Sequence, residues 1–467
     1  MASQNAPRLV VVGGGITGLA AAWQGARRGA HVTLVEADDR LGGKVGTTRR
    51  GGFVIEEGPD SYVAYRPAAA QLIEELGLSD QVISPSPGRR VSLLSRGRLR
   101  PMPDGMGMVL PTRLWPFVTT TVLSWPDKLR AALDLVIPRR LPDSDVAIGT
   151  FLRARLGGGI VRRFADPMVG GIYGADIDEL SLDAVLPSLR ENERDHRSLM
   201  IASLRSGRAA RRRAGAAVRG PGSSPFRTLT GGLGQLVDVL GERLRAEGVE
   251  ILAGTRVEAL DERGVRLSDG RLLDADALVL AGGAADSARL LRAHVPVAAD
   301  TLEKIPLAST TVVTLAWPES AFAAVPSSQG WLQADPGPFS GLTVSSVKFA
   351  GRAPEGMVLA RIFVPDKRGP LTDADDDEVT AATLTHVRPL LRVTDDPAFV
   401  HITRWHATMP KYTVGHLERV AVVDDALATY RPTWAVAGSA LHGVGVPDCI
   451  ADGRKQADAV LDALTRR

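Results

Sequence analysis

The sequence predicts a protein of mixed class, α/β (α+β), with strand–helix–strand units, a second sheet of mixed or antiparallel strands, and a helical insertion. Three observations support this class. An apolar strand, a glycine turn and a helix open the chain over residues 9–22. Apolar runs without long intervening helices follow over residues 310–405, as in a mixed or antiparallel sheet. Residues 102–141 are apolar, and prolines divide them into short helices.

The composition limits the class of protein. A chain of 467 residues, 44% of them hydrophobic, can form two or three domains. Its net charge of +3 is too small to indicate nucleic acid, but suits an anionic ligand or a membrane surface. Cys449 is the only cysteine, which excludes an internal disulfide, and no metal-ligand spacing occurs. Without a signal peptide or a run of about 18 uncharged apolar residues, the protein is expected to be cytoplasmic.

The first glycine turn spans Gly13 to Gly18 and is followed by a second apolar run that ends at Glu36. Gly13 allows a tight turn, Gly15 lets a pyrophosphate approach the backbone, and Gly18 lets helix and strand pack closely. Phosphates would lie at the helix N-terminus, where free N–H groups favour negative charge. Glu36 stands where an acid accepts hydrogen bonds from ribose hydroxyls. The pattern predicts a site for an adenine dinucleotide.

A second glycine turn decides between the dinucleotides. Residues 40–44 (RLGGK) follow the acid directly, and residues 51–61 contain further glycines. A dehydrogenase that binds NAD needs no such turn, whereas a protein that buries the whole of FAD needs more close backbone approaches. Flavoenzymes of the glutathione-reductase type carry the same acid, then Gly-Gly-Arg/Lys, and this region resembles them. We therefore favour FAD over NAD, bound non-covalently because no histidine or cysteine is an obvious tether.

The C-terminal segment contains another glycine turn between a buried strand over residues 433–439 and a helix over residues 451–464. A helix N-terminus directed at the N1/O2 edge of a flavin would stabilise the anion formed on reduction. Gly445 permits a close approach, and Pro447 suits a first helical turn. Many of the flavoenzymes that this sequence resembles have an aspartate after the glycine that follows the strand, and it holds the ribityl chain of the flavin. This chain has Ser439 at that position.

The intervening chain is assigned by composition and periodicity. A helix is expected over residues 66–77, a hairpin over 90–103, and a helix over 231–247. The apolar residues 102–141 fit either ordinary core or a surface for lipid or an apolar substrate. Residues 205–227 are rich in Arg, Ala, Gly and Ser, which predicts a basic flexible loop, with attraction to lipid head groups as the alternative. Further strands are expected at 249–251, 255–260, 265–267, 276–283, 310–315, 341–347, 357–363 and 400–405, and further helices over 148–189 and 372–392.

Several motifs together resemble one family. The segments GGGITGLAAAW, EADDRLGGK, EEGPDSY, GGIYGADIDELSLDAVLPSL, MPKYTVGHLER and ALHGVGVPDCIADG are similar to those of oxygen-dependent porphyrinogen oxidases, nearly end to end. The bacterial branch that oxidises coproporphyrinogen III is the most similar. The resemblance implies conversion of coproporphyrinogen III to coproporphyrin III in haem biosynthesis, with three O2 consumed and three H2O2 formed. The flavin would carry the chemistry, so no catalytic side chain and no metal are expected.

The resemblance also implies a domain plan and a set of site residues. It implies a Rossmann-like FAD-binding domain of the glutathione-reductase type (1–65, 228–290, 415–467), a substrate-binding domain (66–104, 291–414), a helical domain facing membrane or substrate (105–204), and the basic loop (205–227). The expected cofactor-binding residues are Gly13, Gly14, Gly15, Ile16, Thr17, Gly18, Glu36, Ala37, Gly43, Lys44, Gly58, Pro59, Asp60, Ser61, Val257, Trp405, Gly438, Val444, Gly445 and Val446. The expected substrate residues are Arg66, Ile172, Tyr173 and Lys348, among which cations would bind propionates.

Other functions remain open at this point. Protoporphyrinogen IX is the alternative substrate, and an amine oxidase, a carotenoid desaturase or a flavin-binding sensor without turnover are more distant alternatives. Amine oxidases generally line the flavin with aromatic rings, whereas only 5% of this chain is aromatic. The partners implied are the porphyrinogen and dioxygen, with peripheral contact at the inner face of the membrane and hand-over to a ferrochelatase as further expectations.

Overall fold

The computed structural model describes residues 6–88, 90–139, 141–213 and 224–466. The chain folds into two compact units. The first draws on the chain up to Ser84, on Ser224–Ile305, and on the chain from Glu418 onward. The second draws on Pro85–Ser223 and Pro306–Leu417. Each unit is therefore built from separate stretches of sequence.

Runs of consecutive strands and runs of consecutive helices are interspersed along the chain. The strands are β1 (Arg8–Val12), β2 (His31–Val35), β3 (Thr47–Arg50), β4 (Phe53–Glu56), β5 (Tyr62–Val63), β6 (Val82–Ile83), β7 (Val91–Ser95), β8 (Arg98–Pro101), β9 (Phe226–Leu229), β10 (Glu250–Leu252), β11 (Val257–Asp261), β12 (Gly264–Leu267), β13 (Leu272–Asp274), β14 (Ala277–Leu280), β15 (Leu307–Pro318), β16 (Gly330–Gln333), β17 (Gly341–Val344), β18 (Met357–Pro365), β19 (Phe399–Pro410) and β20 (Trp434–Val436). The helices are α1 (Ile16–Arg27), α2 (Pro67–Glu75), α3 (Leu114–Thr119), α4 (Trp125–Ala132), α5 (Ile148–Leu156), α6 (Gly158–Ile160), α7 (Gly171–Tyr173), α8 (Leu182–Val185), α9 (Pro187–His196), α10 (Leu199–Arg213), α11 (Gly234–Ala246), α12 (Ala284–Leu291), α13 (Pro296–Glu303), α14 (Ser345–Lys348), α15 (Asp376–Leu391), α16 (His416–Tyr430) and α17 (Val446–Thr465).

The first unit contains a five-stranded parallel sheet in the order β10-β2-β1-β14-β20. Its central strand β1 is buried on both faces, as in parallel sheets covered by helices. Leu9 and Val11 pack in one core with residues of α1, α11 and α17. Val10 packs in a second core with residues of α12, α13 and α16. The sequence prediction of a Rossmann-like strand–helix–strand unit is confirmed.

The second unit contains a seven-stranded mixed sheet in the order β19-β15-β18-β17-β16-β7-β8. Neighbouring strands are antiparallel except β16 and β7, which are parallel. Helix α15 supplies Val379 and Val387 to a core that includes Val313 and Ile362 of the sheet. Helices α5 to α10 contribute to another core, which also includes Leu93 of β7. The helical insertion expected over 105–204 is therefore continuous with this sheet and does not form a separate unit.

The structure corrects several sequence predictions. Residues 205–213, expected as part of a flexible loop, continue helix α10, because its alanines and arginines are good helix formers. The remainder of that loop up to residue 223 lies outside the described residues, and Phe226 begins strand β9. Residues 66–84 belong to the first unit, because α2 buries Leu72 and Ile73 in its core. The helix expected over 148–189 is divided into α5 to α8 and a π-helical segment, Val161–Gly170, with a left-handed turn at Gly174 (φ +59°).

Candidate functional site

The first glycine turn needs glycine at two positions and leaves open space at a third. Gly13 has φ +109°, and a Cβ there would lie 2.8 Å from the Ala281 carbonyl carbon. A Cβ at Gly18 would lie 1.8 Å from the Gly13 carbonyl oxygen, so only glycine lets α1 pack against the turn. Gly15 caps α1 with φ −65°, and a Cβ there would meet no atom within 4 Å. The free N–H groups of α1 therefore border a space wide enough for phosphate oxygens.

Glu36 is fixed at the carboxyl end of β2. Its Oε2 accepts a hydrogen bond from Gly14 N (2.5 Å), and its Oε1 accepts one from Asp38 N (2.8 Å). Its backbone N–H donates to Leu252 O, and its carbonyl accepts from Thr255 N. The carboxylate thus lies beside the first glycine turn, as an acid that binds ribose hydroxyls should.

The second glycine turn lies directly beside the first. Gly42 N donates to Gly14 O (2.8 Å), and Gly42 has φ +103°. A Cβ at Gly43 would lie 3.4 Å from Gly15 Cα. Arg40 donates from Nη2 to Gly43 O (3.0 Å) and forms an ion pair with Glu57 (3.0 Å), which holds the turn in place. The sequence prediction that both turns serve one site is consistent with this contact.

Lys44 links the second turn to the C-terminal turn. Its Nζ donates to Ser439 Oγ (3.3 Å), and burial lowers the pKa of Lys44. Ser439 stands where many relatives have an aspartate, and its hydroxyl thus has a role in joining the two turns. A Cβ at Gly58 would lie 2.0 Å from Lys44 O, so Gly58 also lies against this turn.

The C-terminal turn places a second helix N-terminus close to the first. Gly438 has φ +119°, and a Cβ there would lie 3.5 Å from Thr17 Oγ1. Gly445 caps α17 with φ −73°, and Pro447 occupies its first turn. A Cβ at Gly453 would lie 2.1 Å from Thr17 O, so α17 crosses α1 at close range. Both helix N-termini can therefore contribute N–H groups and positive dipole ends to one anionic ligand.

The structure places the other predicted residues as follows. Val257 is buried on β11, and its carbonyl accepts from Arg289 Nη2 (3.0 Å). Arg66 caps α2 and forms an ion pair with Asp448. All the expected cofactor-binding residues except Trp405 lie in the first unit: Gly13, Gly14, Gly15, Ile16, Thr17, Gly18, Glu36, Ala37, Gly43, Lys44, Gly58, Pro59, Asp60, Ser61, Val257, Gly438, Val444, Gly445 and Val446.

The remaining candidates lie in the second unit. Trp405 is on β19 opposite Thr310, and Lys348 ends α14 with its Nζ 5.2 Å from the Phe349 ring centroid. Ile172 and Tyr173 are neighbours on α7; Ile172 is half exposed, and the Tyr173 ring lies 5.7 Å from that of Tyr412. Ile172, Tyr173 and Lys348 therefore stay predictions for the substrate site.

Sequence reasoning missed two residues beside the C-terminal turn. Asp452 Oδ2 accepts a hydrogen bond from Gly438 N (2.6 Å), and His442 lies 2.9 Å from the other oxygen of Asp452. A polar residue on the buried face of α17, next to Gly453, was the available signal for Asp452. No sequence pattern marked His442 as a site residue, because its acidic partners Asp424 and Asp452 lie on two different helices, α16 and α17.

These residues fit a flavin dinucleotide. The open space at Gly15 beside the N-terminus of α1 is what a pyrophosphate requires, and the Glu36 carboxylate is what a ribose requires. The N-terminus of α17, which has no side-chain cap, suits the edge of a flavin. Residues 16–461 match the family described as flavin containing amine oxidoreductase. The chain belongs to this family. The expected oxidoreductase class and flavin are confirmed by the match.

Individual proteins that are similar to this chain over nearly its whole length indicate which members of the family it resembles. It is 71% identical to the coproporphyrinogen III oxidase of Propionibacterium freudenreichii, over 97% of this chain and 91% of that protein. It is 33% identical to the coproporphyrinogen III oxidase of Bacillus subtilis, over 99% of both chains. A crystal structure from Exiguobacterium sp. 255-15, described as a protoporphyrinogen oxidase, superposes with a TM-score of 0.85 at 31% identity over all of both chains. The resemblance to porphyrinogen oxidases is confirmed.

Proposed function

We propose that this oxidoreductase binds FAD non-covalently and oxidises coproporphyrinogen III to coproporphyrin III in haem biosynthesis. One observation carries the proposal. The first glycine turn, at the N-terminus of α1, and the C-terminal glycine turn, at the N-terminus of α17, are joined through Gly42 and Lys44 of the second turn. Bound FAD supplies a hydride acceptor for three two-electron oxidations, with three O2 reduced to three H2O2. The 71% identity to a coproporphyrinogen III oxidase favours coproporphyrinogen III as the substrate.

The protein's own residues would hold the cofactor and the substrate. The first turn would bind the pyrophosphate, Glu36 the ribose hydroxyls, and the N-terminus of α17 the edge of the flavin that gains negative charge. Arg66 would bind a propionate of the substrate through charged hydrogen bonds. Ile172 and Tyr173 would form a wall against the apolar macrocycle of the substrate. Lys348 would bind a second carboxylate of the substrate.

Non-covalent attachment is supported by the state of the only cysteine. Cys449 is buried in α17, and burial raises the pKa of its thiol to about 11. The thiolate is the nucleophilic form, so Cys449 is a poor candidate for a bond to the flavin. Acid precipitation of the purified protein should therefore release intact FAD into the supernatant.

Parallel assays on the two porphyrinogens test the activity. The purified protein should convert coproporphyrinogen III faster than protoporphyrinogen IX, measured by porphyrin fluorescence, with one O2 consumed for each H2O2 formed. A preference for protoporphyrinogen IX would reject the substrate. Flavin reduction by amines, with neither porphyrinogen oxidised, would favour an amine oxidase, and binding of flavin without any turnover would favour a sensor.

Peripheral contact with an anionic membrane is a second proposal, and it rests on an exposed apolar surface of the second unit. This surface, which we call the α3–α4 surface, comprises residues 113–139. Trp115 is 75% exposed, Trp125 66% and Leu129 67%. Lys128 Nζ donates to Val118 O and Thr120 O (2.7 Å each), which ties α4 to the end of α3. Large exposed aromatic and apolar side chains next to cations are typical of helices that lie on a bilayer surface.

The charged residues of the α3–α4 surface suit an anionic bilayer. Its exposed charged side chains are Arg113 and Arg139, whereas Asp134 is buried. None of the helices in the described parts of the chain combines the length and hydrophobicity needed to cross a bilayer. From the exposed arginines and tryptophans of the α3–α4 surface, we propose contact at the surface of an anionic leaflet. Hand-over of the product to a ferrochelatase remains a proposal from the resemblance alone.

A further inference from the structure

A histidine lies between two aspartates at the C-terminal glycine turn. His442 Nδ1 is 2.9 Å from Asp452 Oδ1, and its Nε2 is 3.2 Å from Asp424 Oδ2. The side chain of Asp452 is 2% exposed and that of His442 20%, so this contact is shielded from water. A carboxylate thus lies within ion-pair distance of each ring nitrogen, with Nε2 also aligned for a hydrogen bond to Asp424 and Nδ1 not aligned for one to Asp452. The geometry therefore suits the protonated form of His442.

Asp452 transmits this contact to the backbone of the turn. Its Oδ2 accepts from Gly438 N (2.6 Å), and its Oδ1 accepts from Gln456 Nε2 (3.2 Å). Gly438 follows the end of β20 and has φ +119°, a backbone conformation that mainly glycine adopts. A glycine can also adopt many other backbone conformations, so this one needs a contact that favours it. The position of Gly438 next to Thr17 brings this backbone to the N-terminus of α1. The hydrogen bond that Gly438 N–H donates to Asp452 thus selects one backbone conformation at the predicted cofactor site.

The surrounding charges favour the imidazolium. Burial disfavours it, but the carboxylates of Asp424 and Asp452 outweigh this effect and raise the pKa of His442 to about 9. The other charged groups at the turn are Asp448, whose carboxylate approaches Gly445 and pairs with Arg66, and Lys44, whose pKa burial lowers. The Cys449 thiol has its pKa raised to about 11 and remains neutral. Without the imidazolium, the carboxylates of Asp424 and Asp452 would lose the cation that lies between them.

We propose that His442 is a positioning residue for the cofactor. Its cation fixes Asp452, and Asp452 in turn fixes Gly438 and the glycine turn that receives the flavin. This inference rests on the binding of FAD proposed above. If the cation is lost, Asp452 becomes a buried carboxylate without its charged partner, so it takes up a proton or turns toward water. Either change weakens its hold on Gly438 N–H, and the site must be ordered again when FAD binds.

The test compares FAD affinity with the stability of the flavin-free protein. Deflavinated full-length protein is titrated with FAD, and His442→Gln should raise the dissociation constant about tenfold or more at pH 7. His442→Arg, which keeps the charge, should recover part of that loss. The control His406→Gln alters a histidine that is 59% exposed and should leave the affinity unchanged. An unchanged FAD affinity in His442→Gln, with or without a lower melting temperature of the flavin-free protein, would overturn the proposal.

A measurement on the unaltered protein makes the test independent of folding of the variants. Because the folded-state pKa is raised above the unfolded value, the effect of the cation is present below about pH 6.5 and is lost as the pH rises through about 9. FAD affinity should therefore fall across this upper range, and by reciprocity FAD should raise the pKa of His442 measured by NMR. A His442 pKa that FAD leaves unchanged would overturn the inference while the proposed function stands. Absence of any FAD binding would overturn both.

Discussion

Arg66 forms an ion pair with Asp448. Arg66 is the N-cap of α2, and Asp448 is in the first turn of α17, so the pair joins two helix N-termini from opposite ends of the chain. The guanidinium was expected from the sequence to bind a substrate propionate. A guanidinium has five N–H donors, so it can bind a second carboxylate while it keeps Asp448. Half of the Arg66 side chain is exposed, so a ligand can approach it from solvent.

We predict that Arg66→Ala weakens coproporphyrinogen binding without loss of FAD. A charged hydrogen bond contributes roughly 1.5–3 kcal/mol. The KM should rise about tenfold or more, since ~1.4 kcal/mol corresponds to tenfold. Steady-state kinetics and flavin content provide the measurement, with the exposed Arg98→Ala as the control. If Asp448→Asn raised the KM as much as Arg66→Ala, Arg66 would act only through its pair with Asp448. The predicted contact of Arg66 with a substrate propionate would then be wrong.

Gly15→Val should separate cofactor binding from folding. The new side chain meets open space and an ordinary backbone conformation in the protein itself, but it occupies the space where the pyrophosphate would lie. The purified variant should contain little FAD, and its melting temperature should match that of the deflavinated protein, because bound ligand stabilises only the folded state. Gly283→Val is a matched control, since Gly283 caps α12 with a similar backbone conformation. A Gly15 variant with stoichiometric flavin would show that the cofactor lies elsewhere.

Replacing two exposed tryptophans should reduce membrane binding. Burial of one large apolar side chain contributes about 1.5–3 kcal/mol, so Trp115→Ser with Trp125→Ser should lower the partition coefficient onto vesicles at least tenfold. Co-sedimentation with phosphatidylglycerol vesicles measures this. Tyr430→Ser changes a single exposed ring on α16 and should have no effect. Equal binding of the tryptophan variant and the unaltered protein would argue against the α3–α4 surface.

Arg155 should be essential for the stability of the second unit. Its side chain is fully buried, and it forms ion pairs with Asp134 (2.6 Å) and Glu193 (3.4 Å). Arg155→Met leaves Asp134 buried without a counter-charge, which typically costs about 3–5 kcal/mol. Urea unfolding should show this loss. Arg194→Met breaks an exposed pair with Asp195 and should cost about 1 kcal/mol or less. Equal effects of the two substitutions would contradict the prediction.

Glu75 should contribute stability that depends on pH. Burial opposes its ionisation, but hydrogen bonds from Arg454 (2.9 and 2.8 Å) and Trp23 (2.7 Å) outweigh burial and lower its pKa. Since the pKa is lower in the folded state, this stability is present above the usual value of 4.5 and is lost as the pH falls through the folded-state pKa. Glu75→Gln should therefore flatten the acid limb of the stability profile measured by urea unfolding. An unchanged acid limb would show that other carboxyl groups determine it.

Local sequence patterns predicted the parts of the site whose contacts are local. Gly13 and Gly18 could be recognised because a tight turn and a close helix–strand contact impose glycine at fixed spacing. Glu36 could be recognised because it ends the second strand of the same unit. Lys44 and Ser439, in contrast, meet only after folding, and no pattern in the sequence pairs them. His442 and Asp424 are hidden for the same reason.

Composition was a weaker guide than periodicity. Residues 205–213 were expected to form a loop because they are basic, yet alanine and arginine favour a helix, and α10 continues through them. Residues 66–84 were assigned to the substrate-binding domain, as part of 66–104, from the domain plan that the resemblance implies. The apolar face of α2 buries Leu72 and Ile73 in the first unit instead. Which core an amphipathic helix covers depends on tertiary contacts that its own residues do not specify.

The division of the first unit among three stretches of sequence determines when the cofactor can be loaded. Strand β1 and helix α1 are synthesised well before Gly438, Gly445 and α17. At about 5–20 residues per second, synthesis of the stretch between the end of α1 and the start of α17 takes roughly 20–85 s. Throughout that time the first glycine turn lacks the helix that packs across it. The two helix N-termini therefore come together only after α17 has been synthesised, and until then the chain lacks part of the site that we propose for the flavin.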